Sequence, residues 1–388
     1  MNSRQFSTVS AETALPPPPQ LTAAMVTIVV LNWKRPHETL ACLDSLQRAT
    51  LDGAAVLVVD NGSHDGSVAT IRAAQPSTPI VELDENRGYA GGNNAGIRAA
   101  MEAGAAAVLL LNNDTEVAPD FLSPLLDVLN ANPRAAAAAS AMMRADAPQL
   151  LEAAYLEVYF GHGLVHRRGV NALPSEGFDT VRAVDVSIGC SLLLRVAALR
   201  DVGLLDEAFF AYHEEVDWCH RARQRGHLVY FHPYSRVWHQ GSRSTSALTA
   251  DTPGVRTVAD RDALPNATPL SWNPIRSYLG ARNAIRFVRR HGSVLQRLYF
   301  VASSLYAVPL ELLAVAERRE EDLMLGRWTY RRALQLAGVR QLVRDVQHAH
   351  RDGRTAQIVA HLHGLWDGVL GRPLPLERLG LRTARTTP

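Results

Sequence analysis

The chain has 388 residues, 47% of them hydrophobic, with 40 basic against 38 acidic side chains. That is enough for one large α/β domain with an appendage, and it excludes a disordered or collagen-like chain. Cys42, Cys190 and Cys219 show no CxxC or paired spacing, which argues against a disulfide scaffold or a cysteine zinc site and for a reducing compartment. The near-neutral total hides a split. Residues 271–388 carry 19 Arg against 9 acids, whereas residues 1–270 carry 21 basic and 29 acidic groups. Lys34 is the only lysine, so almost all the positive charge is guanidinium. The basic part has neither interleaved aromatics nor a nucleic-acid reader motif, so a membrane surface, and not nucleic acid, is the anionic partner it fits.

Residues 1–20 lack the apolar core of a secretory signal, and Pro16 to Pro19 mark 1–24 as a disordered tail ending in a stiff spacer. Residues 26–31 form a β-branched apolar run, the pattern of a strand buried on both faces. A helix follows over 35–49, with Pro36 in its first turn and Leu40, Leu43 and Leu46 at helical spacing. A strand over 55–59 ends at Asp60-Asn61-Gly62-Ser63. Then come a helix over 67–74, a short strand over 80–83, a helix over 94–103, and a strand over 107–111 that ends at Asn112-Asn113-Asp114. This alternation predicts a parallel, doubly wound sheet, whose ligands sit beyond the C-terminal strand ends. Further on, 184–194 reads as strands around a glycine turn, 214–225 as a helix and 227–231 as a strand. Residues 242–270 show little periodicity and read as a linker or lid, and from Trp272 the pattern is helical to about Leu370.

Several polar clusters fall at those strand ends. Asp60 closes a strand and projects a carboxylate where a nucleobase N–H or a ribose hydroxyl could meet it; its ordinary reading is a turn residue. The glycine-rich segment 86–96 enters a helix, where backbone N–H groups hold phosphate and Arg87 adds charge. It is not GxGxxG, so the dinucleotide fingerprint fails. Asn112-Asn113-Asp114 offers a carboxylate and amide oxygens for Mg²⁺ or Mn²⁺, although Asx clusters also make turns. Glu214, Glu215 and Asp217 crowd three carboxylates into four positions. Adjacent acids raise one another's pKa, which suits a general base, whereas a solvated first turn is the plainer reading. On a helix Glu214 and Asp217 share a face and Glu215 points elsewhere. His239 follows a short strand and is a fair Mn²⁺ ligand, though a lone histidine is more often structural. No GxSxG elbow occurs, which removes hydrolase chemistry. A sugar nucleotidyltransferase would want glycine in the loop at 31–36, which has none.

Taken in order, Val58 to Ser67, Asn86 to Asn93, Asn112-Asn113-Asp114, Asp206 to Phe210, Glu214 to Cys219 and His239 resemble family 2 glycosyltransferases. The likeness is to rhamnosyltransferase-type members that act on lipid-linked or polysaccharide acceptors, and it runs from about Val26 to Ser246. The resemblance implies a GT-A fold, with a Rossmann-like, mostly parallel central sheet over 25–246, a lid over 247–270 and a helical, Arg-rich appendage over 271–388. It implies inverting, metal-dependent transfer from a dTDP- or UDP-sugar, with rhamnose the sugar it favours. By the same resemblance Asp60, Asn86, Arg87, Gly88, Gly91, Asn112 and Asn113 bind the nucleotide-sugar. Asp114 and His239 hold the divalent metal, Mn²⁺ or Mg²⁺. Glu215 is the base with Glu214 beside it, and Cys190, Asp217 and Trp218 face acceptor or sugar. Two positions depart from the family pattern: Asn112 stands at the first acid of the DxD-like motif, and Glu215 stands where an aspartate is usual. A non-catalytic nucleotide-sugar-binding partner subunit is the alternative.

In the appendage Arg282, Arg286, Arg289 and Arg290 repeat at helical spacing and form one basic face. Residues 298–316 are apolar but contain Pro309 and Glu311, which fits an interfacial helix better than a span of about 20 apolar residues. The expectation is a cytoplasmic enzyme, peripheral at the inner face of the cell membrane.

Overall fold

The computed structural model describes residues 20–161, 163–240, 274–304 and 354–376, together with 379 and 381. The expected tail up to residue 19, the 242–270 lid and the apolar stretch beyond residue 304 lie outside the described residues.

The first half builds as its apolar periodicity dictates: β1 (Val26–Asn32), α1 (Pro36–Arg48), β2 (Ala55–Asp60), α2 (Ser67–Ala74), β3 (Ile80–Glu82), α3 (Gly88–Glu102) and β4 (Ala107–Asn112). The strands lie parallel in the order β3-β2-β1-β4. Successive strand residues point to opposite faces, so two cores form. Val29, Val59 and Leu110 pack with Ile97 of α3 on one side. Ile28, Val30, Val58 and Leu109 pack with Leu43 and Leu46 of α1 on the other. In register, Asn32 lies opposite Asp60 and Leu31 opposite Asn112. Three polar strand ends therefore finish side by side.

The second half comprises β5 (Thr115–Val117), α4 (Leu122–Ala131), β6 (Ala135–Arg144), β7 (Leu151–Ala153), β8 (Tyr155–Val158), β9 (Val165–Arg168), β10 (Arg182–Ala183), β11 (Ser191–Arg195), α5 (Val196–Val202), α6 (Glu214–Gln224) and β12 (Leu228–His239). β11 runs antiparallel between β4 and β6, and β12 runs parallel to β6. With β5, β7 and β10 paired at the far side the sheet reaches ten strands among the described residues, while β8 and β9 form a separate hairpin. The two short strands expected around 227–239 are one strand, whose register shifts between His232 and Arg236. Pro233 falls in that irregularity, where a missing N–H costs no ladder bond.

α3 starts at Gly88, so most of the expected glycine loop is the first turns of a helix. Its glycines serve close packing. A Cβ on Gly96 would run into Val29 Cγ1, and one on Gly92 would lie 2.5 Å from Leu31 Cδ1.

The C-terminal part contributes α7 (Pro274–His291) and α8 (Arg354–Leu370), with residues 294–304 helical between them. α8 packs on α7: Tyr278 Oη donates to Asp367 at 2.9 Å, and Arg289 donates to the carbonyls of Gly368 and Val369. The basic face expected to meet a membrane is occupied within the protein. Arg286 and Arg290 bind Asp206 at 3.0 and 2.7 Å, and Arg282 binds the Ala208 carbonyl at 3.2 Å. The acidic front half supplies the anions, and Asn283 and Phe287 on the same helix are fully buried. Among the described residues no helix is long and apolar enough to cross a membrane.

Gly96→Ala gains helix propensity but must displace a stiff β-branched neighbour in β1. A net loss of roughly 1–2 kcal/mol is expected, read as a lower midpoint of urea unfolding with unchanged slope.

Candidate active site

The turns that follow β1, β2 and β4 are tied by one chain of buried hydrogen bonds. Asn113 Nδ2 donates to Thr39 Oγ1 at 3.0 Å, Thr39 Oγ1 donates to Asn32 Oδ1 at 2.8 Å, and Asn32 Nδ2 donates to Asp60 Oδ1 at 2.7 Å. Ser63 completes the Asp60 shell through its hydroxyl at 2.6 Å and its amide at 3.0 Å, and accepts from the Lys34 amide. Asn61 extends the frame to α3, donating to Asn86 Oδ1 and the Gly88 carbonyl and accepting from the Arg87 amide.

Beyond this frame opens a cavity of about 450 Å³. Trp33, Asn61, Asn86 and Gly88 line the end near β1 and β2. Asn112, Asn113 and Asp114 line its centre below β4, and Cys190, Glu214, Glu215 and His239 close around them. Most of the residues singled out in the sequence thus share one site. Asp60 does not line it, because its carboxylate is enclosed by Asn32 and Ser63. Arg87 is exposed at the start of α3 and Gly91 is packed within that helix, so neither lines the cavity.

His239 is clamped between two carboxylates: Nε2 lies 3.3 Å from Asp114 Oδ1, and Nδ1 2.8 Å from Glu152 Oε2. Burial alone would lower the imidazole pKa, but Asp114 and then Glu152 outweigh it and raise it to about 10. Burial works against the Glu152 carboxylate too, yet His239 and Arg167 hold it below its ordinary value. Nearby, Asn112 Oδ1 is buried with no hydrogen-bond partner among the described residues. Among those residues no three His, Cys, Asp or Glu side chains converge as a closed metal shell. The Asp114 carboxylate, the Asn112 amide oxygen and His239, once it gives up its proton, nevertheless fit a divalent cation that keeps other ligands from solvent or phosphate.

The two glutamates begin α6. Burial raises both pKa values; the charge of Glu215 pushes Glu214 further up, whereas backbone amides at the helix start and Glu214 itself pull Glu215 back. Glu214 is therefore the weaker acid of the pair. Contrary to the helical-face expectation, Glu214 and Glu215 both face the cavity and Asp217 does not. The first turn, where backbone donors are exposed, sets this arrangement.

Asp217 is fully buried and meets Arg221 and His291 at 2.7 Å each and Arg290 at 3.3 Å. Trp218 is equally buried, its indole donating to the Gly203 carbonyl at 2.8 Å. The structure therefore places both away from the acceptor or sugar role expected of them. Cys190 does line the cavity, and burial pushes its thiol well above its ordinary pKa, so it meets a ligand as a neutral small side chain. Sequence reasoning missed Tyr89, which bonds the Gly189 carbonyl at 2.6 Å, and also Glu152, Arg167, His213 and Arg276. Glu152 and Arg167 stand among irregular short strands with no readable period. Arg276 lies in the segment set aside as an appendage.

The family description Glycosyl transferase family 2 matches residues 27–198. This stretch is a family 2 glycosyltransferase domain. The glycosyltransferase is 29% identical over 277 residues to the N-acetylglucosaminyl-diphospho-decaprenol L-rhamnosyltransferase of Mycobacterium tuberculosis, covering 64% of this chain and 90% of that one. It is 23% identical over 240 residues to the dTDP-rhamnosyl transferase RfbF of Shigella flexneri, covering 61% and 71%. A mannosyltransferase of Pyrobaculum calidifontis, solved with GDP-Man and Mn²⁺, is 14% identical with a TM-score of 0.49 over 89% of this chain and 87% of that one. The fold of the glycosyltransferase is the α/β, GT-A arrangement of its family, with the cavity at the strand ends where that arrangement binds ligands.

Burial opposes the Asp217 charge, but His291, Arg221 and Arg290 hold its pKa below the ordinary value. A depressed folded pKa contributes stability above the unfolded pKa, and that stability is lost as pH falls through the folded value. Asp217→Asn should destabilise by about 3 kcal/mol near neutral pH. The gap from wild type should close below the ordinary carboxylate range, as followed by urea unfolding at a series of pH values.

Proposed function

We propose that this glycosyltransferase moves a sugar from a nucleoside diphosphate donor, dTDP- or UDP-linked, to a hydroxyl of a lipid-linked or polysaccharide acceptor, with inversion at the anomeric carbon. The names of the relatives favour L-rhamnose. The observation that carries the reading is that the Glu214–Glu215 pair and the Asp114–His239 pair line one cavity. One offers a base, the other a cation site, and single-displacement transfer needs those two.

Glu215, ionised, accepts the proton of the attacking hydroxyl; the amides of the α6 start hold its charge in place. Glu214, kept neutral, donates to Glu215 and leaves one negative charge in the pair. Asp114 and His239 would hold Mn²⁺ or Mg²⁺, which when bound neutralises the diphosphate leaving group. Asn112 and Asn113 stand beside them for the ribose and phosphate, and Trp33, Asn61, Asn86 and Gly88 form the end that suits a nucleoside. Asp60 acts from behind by bracing that end. Arg167 and Arg276 line the cavity too, as do Leu156, Val165 and Leu381. Guanidinium beside apolar wall suits the diphosphate and lipid of an anchored acceptor, in keeping with the acceptor printed in the mycobacterial relative's name. Exposed Val294, Leu295, Leu298, Tyr299 and Val301 support contact with the membrane surface, and a nucleotide-activated donor puts the reaction at its cytoplasmic face.

Calorimetric binding of dTDP, UDP and GDP, each with and without Mn²⁺, tests the donor half. One nucleotide should bind in a metal-dependent manner, and Asp114→Ala should abolish that dependence; no binding to any of the three would sink the reading. For the chemistry, Glu215→Gln should lower kcat by about 10²–10⁴-fold while nucleotide affinity stays within about twofold. Because burial raises the pKa of Glu215, wild-type kcat should climb with pH through a value above the ordinary glutamate range, since the protonated form below it is silent. Nucleotide binding without transfer to any acceptor would instead favour a non-catalytic partner subunit.

A further inference from the structure

Segment 206–217 leads into the two glutamates, and α7 grips it along its whole length. At one end Arg286 and Arg290 hold Asp206 at 3.0 and 2.7 Å. Next, Arg282 Nη1 donates to the Ala208 carbonyl at 3.2 Å. In the middle Asn283 Nδ2 lies 2.8 Å from each of the carbonyl oxygens of Phe209, Ala211 and Tyr212. At the far end His291 and Arg290 hold Asp217 at 2.7 and 3.3 Å. Positions 282–283, 286 and 290–291 recur at three- to four-residue spacing, so a single face of α7 makes every contact.

The backbone held this way is one that side-chain-bearing residues avoid. Phe210, Tyr212 and His213 have φ of 65°, 68° and 74°. Each such residue is strained and persists only where its surroundings over-determine it. His213 is the residue from which α6 departs, and Glu214 and Glu215 follow it directly. An amide nitrogen carries two hydrogens, so Asn283 shares them among three carbonyls that point inward together. Asn283 is fully buried, and its own oxygen accepts from Arg282 Nη1 at 3.1 Å. The place calls for a donor: a carboxylate there would face three carbonyl oxygens, and an apolar group would take from each of them the bond that Asn283 makes.

We propose that Asn283 is a positioning residue for the Glu214–Glu215 pair. By tying the carbonyls of 209, 211 and 212 to α7, it fixes the left-handed turn that starts α6 with both carboxyls in the cavity. The catalytic consequence rests on the glycosyl-transfer reading; the clamp itself does not. It follows that α7 belongs to the active site, although it lies beyond the segment that matches the family.

The test uses the full chain carrying Asn283→Ala, with Asn283→Ser as a milder variant that keeps one hydroxyl donor. Amide hydrogen exchange, Mn²⁺-dependent binding of dTDP, and transfer from dTDP-L-rhamnose to an N-acetylglucosaminyl-diphospho-isoprenoid across pH are measured together. Amides of 209–216 should exchange at least about tenfold faster in the alanine variant while β1, β2 and β4 keep their protection. Affinity for dTDP should stay within about twofold, kcat should fall about tenfold or more with little change in donor KM, and the acid limb of kcat should move. The serine variant should fall between. Protection lost evenly across the molecule, or local loosening with wild-type kcat and pH profile, would overturn the proposal. If wild type binds no nucleoside diphosphate, the glycosyl-transfer reading is what fails, and the exchange pattern alone still supports or removes the clamp.

Discussion

Asp60 carries its carboxylate at 3% exposure, so its hydrogen bonds must be found inside the protein. They come from Asn32, itself fully buried, and from both donors of Ser63, and Asn32 is held in turn by Thr39 and through it by Asn113. Leaving any of these groups unpaired would cost about 1–3 kcal/mol. The ends of β1, β2 and β4 therefore cannot move independently. The parallel register already aligns them; the polar chain converts alignment into a rigid floor. Asn61, Asn112 and Asn113, which line the cavity, stand at or next to those strand ends and share that floor.

Such a floor explains why the first half of the fold was legible. Runs like 26–31 and 107–111 are apolar and β-branched or leucine-rich, so burial on both faces follows from composition, and the polar residues just after them fall at strand ends by necessity. β6 was not legible. Its first five residues are alanines, all fully buried. Alanine has little strand preference; here small side chains suit a strand covered on both faces, which is a property of its neighbours. The glycine segment 86–96 misled for a related reason. Its composition reads as a loop, whereas Val29 and Leu31 need a helix with nothing at its β carbons. That need is visible only once β1 and α3 are placed together.

The charge split has a similar resolution. An acidic front and an arginine-rich back look like two surfaces meant for different partners, yet in the described residues they meet each other. Asp206 and Asp217 take Arg286, Arg290 and His291, and Arg282 and Arg289 bind backbone carbonyls. Guanidinium suits this better than ammonium, because it is more weakly hydrated and offers donors in several directions at once. The residues that suggested a membrane stripe in the sequence thus join α7 to the catalytic domain, and apolar residues of 294–304 are what the surface presents instead.

The acids of α6 show how far the surroundings decide chemistry. Glu214, Glu215 and Asp217 lie within four positions and have nearly the same intrinsic acidity. Asp217 meets cations on α6 and α7, so its charge is compensated and its pKa falls, and it serves as a fixed anion that anchors a helix. The two glutamates meet burial and each other, so their pKa values rise. Spacing alone could not sort them: Arg221 lies one helical turn from Asp217, but Arg290 and His291, which complete its shell, come from some 70 residues further along the chain. The same helix that neutralises the structural acid also ties down the turn before the other two. In this arrangement α7 sorts the three acids: it supplies counter-ions to Asp217 and none to the glutamate pair, which keeps its unbalanced charge.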